Sequence, residues 1–538
     1  MSDRFSRARR RWASWLWFSL AFACHVNVRA QEAPAPGPYT IDLLPVPDAA
    51  NGQVAAIDFD RQGDTVVLAR DGRVWIQEKA QETWRQWSDQ GLAGATGLFA
   101  GYLPKSIYVV HATGISRLFD TDENGDADFV KAVIPSWRFG TLGELFRKSP
   151  TVLPDGDLLM SPNVLTGTWS GLVMRVPEAK PVSTWMGGFA RVTAPAAGPD
   201  GTWMLAGTTR ISDPNNADSE TGGAAIWIVD SPAETPAEPA PAVEDAGKPA
   251  DTGEKKDVEE NPDPAPETEP APASTPKPLP TPSPAIFLPT SLMTTSPLRP
   301  AFPEFAKADS FGVFSGQGFV AGENSQRLLR IMPEKIGDTW QGAVTNFAAI
   351  ESTEAGIEFL AYSPEGDSLF AGEGGQALRI RPAGGAIYAV RSIHLAGDGF
   401  EVSFTRPIDR ARAIDLSNWD IRHGSPDASE KAMQTLTLPD DTRVIIDFDG
   451  LAATLQIPNL SALKTGMVYV FDFSRIPSES GESLSHEPVF YTLNAIPKGR
   501  PESVGKRESD AAESDTEKTP PEPETEPVKA KAETKPGQ

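Results

Sequence analysis

Asp120, Asp122, Asn124 and Asp128 occupy positions 1, 3, 5 and 9 of a D-x-D-x-N-G-x-x-D run. Oxygen donors on alternate residues around a glycine suit a hard cation, since calcium takes about six to eight oxygens. Gly125 fills the sharp-turn position, where a residue without Cβ is needed, and Asp126 at position 7 would offer its backbone carbonyl. Position 12 is Lys131, so the bidentate Glu of a helical EF-hand is missing. The flanks, I-Y-V-V at 107–110 and L-F at 118–119, are strand-like. The expectation is a calcium loop tying down a β-hairpin, with a solvated acidic turn as the alternative.

Little else in the chain has the spacing of a reactive centre. The five histidines, His25, His111, His394, His423 and His486, are scattered, with no pair at ligand spacing. His111 follows a strand and is either a base reaching a central pocket or a turn histidine. No G-x-S-x-G, H-E-x-x-H or Walker pattern is present. The single cysteine, Cys24, lies in a segment that reads as an export signal. Arg4, Arg7, Arg9, Arg10 and Arg11 precede an apolar stretch from Ala13 to Ala23, too short to span a bilayer, and V-R-A at 28–30 suits cleavage before Gln31. Lipid attachment through Cys24 is the alternative.

Cleavage there would leave no cysteine, which removes disulfides, thiolate metal sites, a Cys nucleophile and C-x-x-C-H haem attachment. It would also leave no transmembrane segment. Residues 1–30 hold six Arg and one Asp, so their loss takes the formal net charge from −24 to −29. Such a surface disfavours nucleic acid and anionic membranes and favours cations. The expected location is periplasmic or extracellular.

The elements that must position any site are strands. G-D-T-V-V-L-A-R-D-G-R-V-W-I (63–76) reads as strand, turn, strand. The form recurs at 105–118, at 154–163 running on to 171–176, at 199–207 running on to 225–229, at 316–331 and at 365–380. Six such units predict a six-bladed β-propeller, with the early strand 39–43 closing the ring. From 386 the pattern becomes short strands with alternating faces, as in an immunoglobulin-like β-sandwich. Residues 231–284 hold 15 of the 50 prolines and almost no apolar side chains, so they read as a disordered insertion in a late fourth-blade loop. Residues 498–538 read as a disordered charged tail. The organisation is then a signal peptide (1–30), a propeller (31–230 and 285–385) interrupted at 231–284, a sandwich (386–497) and the tail. The fold class is all-β. Trp75, Trp84, Trp87, Trp137, Trp169, Trp185, Trp203 and Trp227 read as blade packing, with one or two at a pocket mouth able to stack on a sugar. Arg330, Arg379 and Arg381 read as solvated or salt-bridged.

Three segments, S-R-L-F-D-T-D-E-N-G-D-A-D (116–128), G-F-A-R-V-T-A-P-A-A-G-P-D-G (188–201) and F-S-G-Q-G-F-V-A-G-E-N-S-Q-R-L-L-R-I (314–331), resemble exported propellers of the glucose/sorbosone dehydrogenase superfamily. G-D-G-F-E-V-S-F-T-R-P-I-D (397–409) and Y-T-L-N-A-I-P (491–497) resemble a sandwich that some of these relatives carry. The resemblance implies a central polar pocket, pyrroloquinoline quinone (PQQ) as cofactor, and a His base beside an Arg and an Asp. The matching positions depart from it. The His position falls in T-L-G-E-L-F-R-K-S-P (141–150), which has none; the Arg is displaced to Arg191; and T-T-R-I-S-D-P-N-N (208–216) lacks the Asp-His-Gly-like turn. No catalytic residue is therefore assigned. The expected function is a non-catalytic exported binding or scaffold protein with a small molecule, sugar or protein as ligand, the alternative being a PQQ-dependent oxidoreductase of a sugar or alcohol.

Overall fold

The computed structural model describes residues 38–79, 81, 83–100, 106–134, 149–153, 155–162, 171–177, 182–209, 222–230, 282–303, 310–350, 356–486 and 488–497. The expected signal peptide and charged tail, and the expected disordered insertion up to residue 281, lie outside these residues, as do Trp137 and Trp169.

Five of the six repeat units form the two middle strands of an antiparallel sheet; in the fifth, Gly318–Ala321 is the edge strand beside Arg327–Ile336, and the segment inside it makes only isolated bridges. Thr65–Ala69 and Val74–Gln77 are flanked by Val54–Phe59 inside and Trp84–Ser88 outside. The second sheet runs Gly97–Phe99, Ser106–His111, Gly114–Phe119, Phe129–Ile134, and the third Thr151–Val152, Leu158–Met160, Val173–Val176, Ser183–Met186. In the fourth, the pieces Arg191–Val192 and Ala196–Ala197 lie inside Trp203–Thr208, Ala224–Val229 and Ile286–Leu288. The expected insertion thus falls between the last two strands of this sheet. The middle strands read as apolar runs such as T-V-V-L-A because each sheet is covered on both faces by its neighbours.

The ring closes through the N-terminal strand. Tyr39–Leu43 pairs antiparallel with Gln376–Pro382 as the outer strand of the sixth blade, outside Leu369–Glu373 and Ile357–Tyr362. Buried clusters fill each gap between neighbouring blades, first with second, second with third, and so on to the sixth. The last gap, between sixth and first, holds Phe370 and Ala377 against Val54, Ile57 and Phe59. At this seam Gly375, at φ +79°, accepts from Val54 N at 2.8 Å, and a Cβ on it would stand 2.3 Å from Gly52 O. Only glycine fits both conditions.

The C-terminal strands form two sheets. One has the order Val390–Ala396, Gly399–Phe404, Ala452–Gln456, Arg443–Ile446, and the other Val489–Leu493, Met467–Asp472, Asp420–Gly424, Gln434–Thr435. This is the pairing of an immunoglobulin-like sandwich. Between them lies a core that includes Phe400, Phe404, Trp419, Phe471 and Phe473. Among the described residues the only α-helix is the single turn Arg410–Ala413, capped by Asp409, whose side chain accepts from Arg412 N.

The two architectures share a strand. Val489–Leu493 pairs with Met467–Asp472 on one side and with Thr339–Ala349 of the fifth blade on the other, with Phe490 opposite Val344. The fifth blade and half of the sandwich are therefore one seven-stranded sheet. Val468, Val470 and Phe490 enter the core between the fourth and fifth blades, and burying each such side chain contributes about 1.5–3 kcal/mol.

The strand-end arginines do not all reach solvent or an ion pair. Arg381 does pair with Asp42 at 3.1 Å, but Arg330 is fully buried. Its guanidinium lies 3.9 Å over the Phe314 ring and donates to Val390 O at 2.6 Å, Arg391 O at 3.1 Å and Gln317 Oε1 at 2.7 Å. A planar, weakly hydrated fork that stacks on an aromatic face tolerates such a place better than an ammonium.

Candidate functional site

The inner strands of all six blades face a common channel of about 1590 Å³. Its wall is built mainly of small residues, such as Ala56, Ala95, Ala196 and Ala301, because the blades crowd together near the axis. Charged and aromatic side chains interrupt this lining at a few places.

Asp58 sits in the otherwise apolar innermost strand of the first blade, V-A-A-I-D-F. Its Oδ2 accepts from Ala100 N of the second blade at 2.8 Å. Burial pushes its carboxyl up to about 6, against the amide bonds from Ala100 and Phe59 and the positive charge of Arg299. Arg299 enters from the fifth blade's innermost segment, which bridges to the next strand through Pro297 and Ala301. Its Nε donates to Pro195 O at 2.8 Å and its Nη2 to Thr151 Oγ1 at 3.0 Å. Thr151 in turn donates to Pro195 O. Burial lowers the Arg299 pKa and Asp58 opposes that shift. Among the described residues no carboxylate comes within ion-pair distance of this guanidinium.

Some of the other charges on the wall are engaged, while no ion pair holds Asp200 or Glu323 among the described residues. Arg70 pairs with Glu358 of the sixth blade at 2.7 Å, and Arg61 also has a partner. Asp60 Oδ1 accepts from Gln62 N and Asp64 N, each at 2.9 Å. Trp203, Phe302 and Phe359 supply flat apolar surface. Trp203 Nε1 and the Tyr362 hydroxyl are buried with no hydrogen-bond partner among the described residues. Trp203 thus takes the pocket place expected for one tryptophan, while Trp87, Trp185 and Trp227 pack between blades and Trp75 and Trp84 lie against the seam of the first and sixth.

The residues considered for chemistry lie elsewhere. The His111 ring is bound to Ser116 Oγ at 2.9 Å and Thr113 Oγ1 at 3.1 Å, as a turn histidine would be. Arg191 donates to Ser296 Oγ at 2.7 Å. Most of the 141–150 and 208–216 segments lies outside the described residues. Asp58 and Arg299 went unread in the sequence. Their signal is a charge breaking an apolar strand in one case and a lone Arg within the L-R-P of an apolar segment in the other.

The Asp120–Asp128 loop joins the last two strands of the second blade, remote from the channel lining. Glu123 and Gly125 take φ of 62° and 98°. Gly125 N donates to Asp120 Oδ2 at 3.0 Å, Asn124 N to Asp122 Oδ1 at 3.2 Å, and Asp126 N to Asn124 Oδ1 at 2.8 Å. Asp128 accepts from Thr121 N at 3.0 Å and Thr121 Oγ1 at 2.6 Å. Arg85 of the first blade pairs with Asp126 at 2.9 Å, and Ala127 N donates to Trp87 O at 2.6 Å. The loop therefore clasps the first two blades, and a guanidinium meets part of its charge. Among the described residues no three His, Cys, Asp or Glu side chains converge as a metal cluster. Asp120 Oδ1 is nonetheless buried without a partner, which leaves one oxygen suited to a cation.

No family model matches this chain, and no curated protein does. Solved structures similar to it include an oxidoreductase described as a glucose dehydrogenase from Thermus thermophilus. It is 16% identical, with 64% of this chain and 99% of that one covered, at a TM-score of 0.39. The PQQ domain of pyranose dehydrogenase from Coprinopsis cinerea is 9% identical over 64% and 96% of the two chains, TM-score 0.39. An auxiliary nutrient binding protein from Bacteroides thetaiotaomicron is 10% identical over 64% and 76%, TM-score 0.34. Likenesses at these scores carry no argument about this chain's activity.

Proposed function

We propose that this is an exported binding protein that holds a small polar organic ligand in its propeller channel without turning it over. The observation that carries the reading is the channel itself: six blades contribute to one cavity in which an unpaired guanidinium, a carboxyl and aromatic faces converge. The basic and apolar pattern of residues 4–23 supports export, and no described helix is long and apolar enough to cross a membrane.

The second reading, a PQQ-dependent sugar or alcohol dehydrogenase, gains one support. Asp58 is a channel carboxyl whose burial places it near the range useful to a general base. The cofactor fits the wall poorly. PQQ is a tricarboxylate, whereas five carboxylates (Asp58, Asp60, Asp200, Glu323, Glu358) line the channel, and of its arginines Arg70 is already paired with Glu358 and Arg61 also has a partner. Incubating the protein with Ca²⁺ and PQQ and following quinone absorbance and dye reduction over a sugar panel separates the readings. Saturable sugar binding without dye reduction is expected. Stoichiometric quinone uptake with turnover would establish the enzyme instead.

For the acidic loop we propose a structural Ca²⁺ held by Asp120, Asp122, Asn124, Asp128 and the Asp126 carbonyl. The buried, unpartnered Asp120 Oδ1 supports it. Chelation should lower the melting temperature, and the doubly substituted Asp120→Ala, Asp122→Ala protein should lose that response. A variant that still responds to chelator would place the metal elsewhere.

A further inference from the structure

Arg299 has no partner anion among the described residues, and it is pre-aimed. Pro195 O holds its Nε and Thr151 Oγ1 holds Nη2, with Thr151 itself fixed on Pro195 O. These bonds leave Nη1 and the second Nη2 proton uncommitted among the described residues. Arg299 is only partly exposed, so an anion meeting it gains more than it would at the open surface, and its planar fork suits a carboxylate. Asp58, at the same cavity, is within electrostatic reach of Arg299 but outside ion-pair distance, with one carboxyl oxygen anchored on Ala100 N. That leaves acceptor capacity for a hydroxyl. Trp203, Phe302 and Phe359 offer faces against which a ring's C–H surface can pack.

From this placement we infer that the channel ligand is a hydroxy-carboxylate, its carboxylate on Arg299 and a hydroxyl donating to Asp58. The inference rests on the binding reading above and names the class of molecule bound. The formal charge of −24 does not forbid it. Repulsion between solvent-exposed charges is screened beyond about 8 Å at physiological ionic strength, while a contact inside the channel is screened far less.

The test is titration of the full-length protein at pH 7 by calorimetry, with tryptophan fluorescence as a second readout. The probes are glucuronate and gluconate as sugar acids, lactate as a small hydroxy acid, acetate without the hydroxyl, and glucose without the charge. Glucuronate should bind at least tenfold more tightly than glucose or acetate, and added chloride should weaken it. Lactate matching glucuronate would assign a small hydroxy acid and lactate falling well below it a sugar acid; either supports the inference. Arg299→Lys, checked for a native circular dichroism spectrum, should lose at least tenfold in glucuronate affinity. Asp58→Asn should narrow the gap between glucuronate and acetate. If glucose binds as tightly as glucuronate, the binding reading stands and the anionic class is refuted. If Arg299→Lys folds and binds glucuronate like the wild type, the assignment of Arg299 is refuted. If no probe binds, both readings fall.

Discussion

Replacing Glu334 tests how the propeller and sandwich are held as one body. Glu334 lies on the fifth blade, with its side chain 9% exposed. Its Oε1 accepts from Gln341 Nε2 at 3.0 Å and from the Tyr491 hydroxyl, and its Oε2 from His394 Nδ1 at 3.0 Å. Leu395 N donates to both oxygens, at 3.2 and 3.3 Å. Gln341 Oε1 continues the network to Asn494 N and Ala495 N, at 2.9 and 2.8 Å. One carboxylate thus gathers the sandwich's first and last strands onto the blade. Glu334→Ala leaves the donors of Tyr491, Gln341 and Leu395 without their acceptor. Removing one partner of a buried charged network costs about 3–5 kcal/mol; because the half-exposed His394 contributes little of this, about 3 kcal/mol is expected. With a slope of about 2 kcal/mol/M, the unfolding midpoint should move down by about 1.5 M urea, followed by circular dichroism. The histidine bond adds a pH signature. Its bond to Glu334 raises the His394 pKa, against desolvation. A raised folded value means that this stabilisation is fully present below the unfolded histidine value of about 6.5 and is lost as pH rises through the folded value. His394→Asn should flatten that decline. A Glu334→Ala midpoint within about 0.3 M of wild type would refute the network as a stabiliser, using the same slope.

Two further outcomes test the closure and the buried cation. Gly375→Ala should lower the thermal midpoint well beyond Gly384→Ala. Both glycines have positive φ, but only the first would drive a Cβ into backbone, at Gly52 O, while Gly384 has open space around it; the φ term alone costs about 1 kcal/mol. Equal midpoints would remove the steric account of the seam. Arg330→Met keeps a similar volume over Phe314 but leaves Val390 O, Arg391 O and Gln317 Oε1 without their donor, so it should cost about 1–3 kcal/mol. Arg330→Ala should cost about 2 kcal/mol more through the cavity it leaves, read by equilibrium denaturation. Equal losses in the two variants would show that the donors to Val390 O and Arg391 O dominate over packing.

The blade hairpins were legible because a strand covered on both faces, punctuated by turn residues, is a local pattern. Thr65–Ala69 with Val74–Gln77 and Leu369–Glu373 with Gln376–Pro382 are of this kind. Two of the innermost strands, Thr151–Val152 and Ala196–Ala197, were not legible because they are too short to show a period. Asp58 was hidden for another reason: V-A-A-I-D-F is an ordinary strand, and nothing local marks its carboxylate as lining a channel. The closing role of Tyr39–Leu43 could be read, because a strand without a hairpin mate at one end of a repeat array must find one at the other. The double pairing of Val489–Leu493 could not: V-F-Y-T-L reads the same whether one edge or both are hydrogen-bonded.

The acidic loop was conspicuous for the opposite reason, since all its donors lie within nine residues of sequence. Asp58 and Arg299 are 241 positions apart and meet only when the ring closes. Local spacing therefore drew attention to a clasp between blades at the periphery, while the polar centre of the molecule rests on two residues that look like exceptions in otherwise apolar segments. A charge retained on an axial strand costs desolvation in every folded molecule. Two of opposite sign, held by separate anchors on Ala100 N and Pro195 O and not collapsed into an ion pair, are the arrangement that the proposed ligand would use.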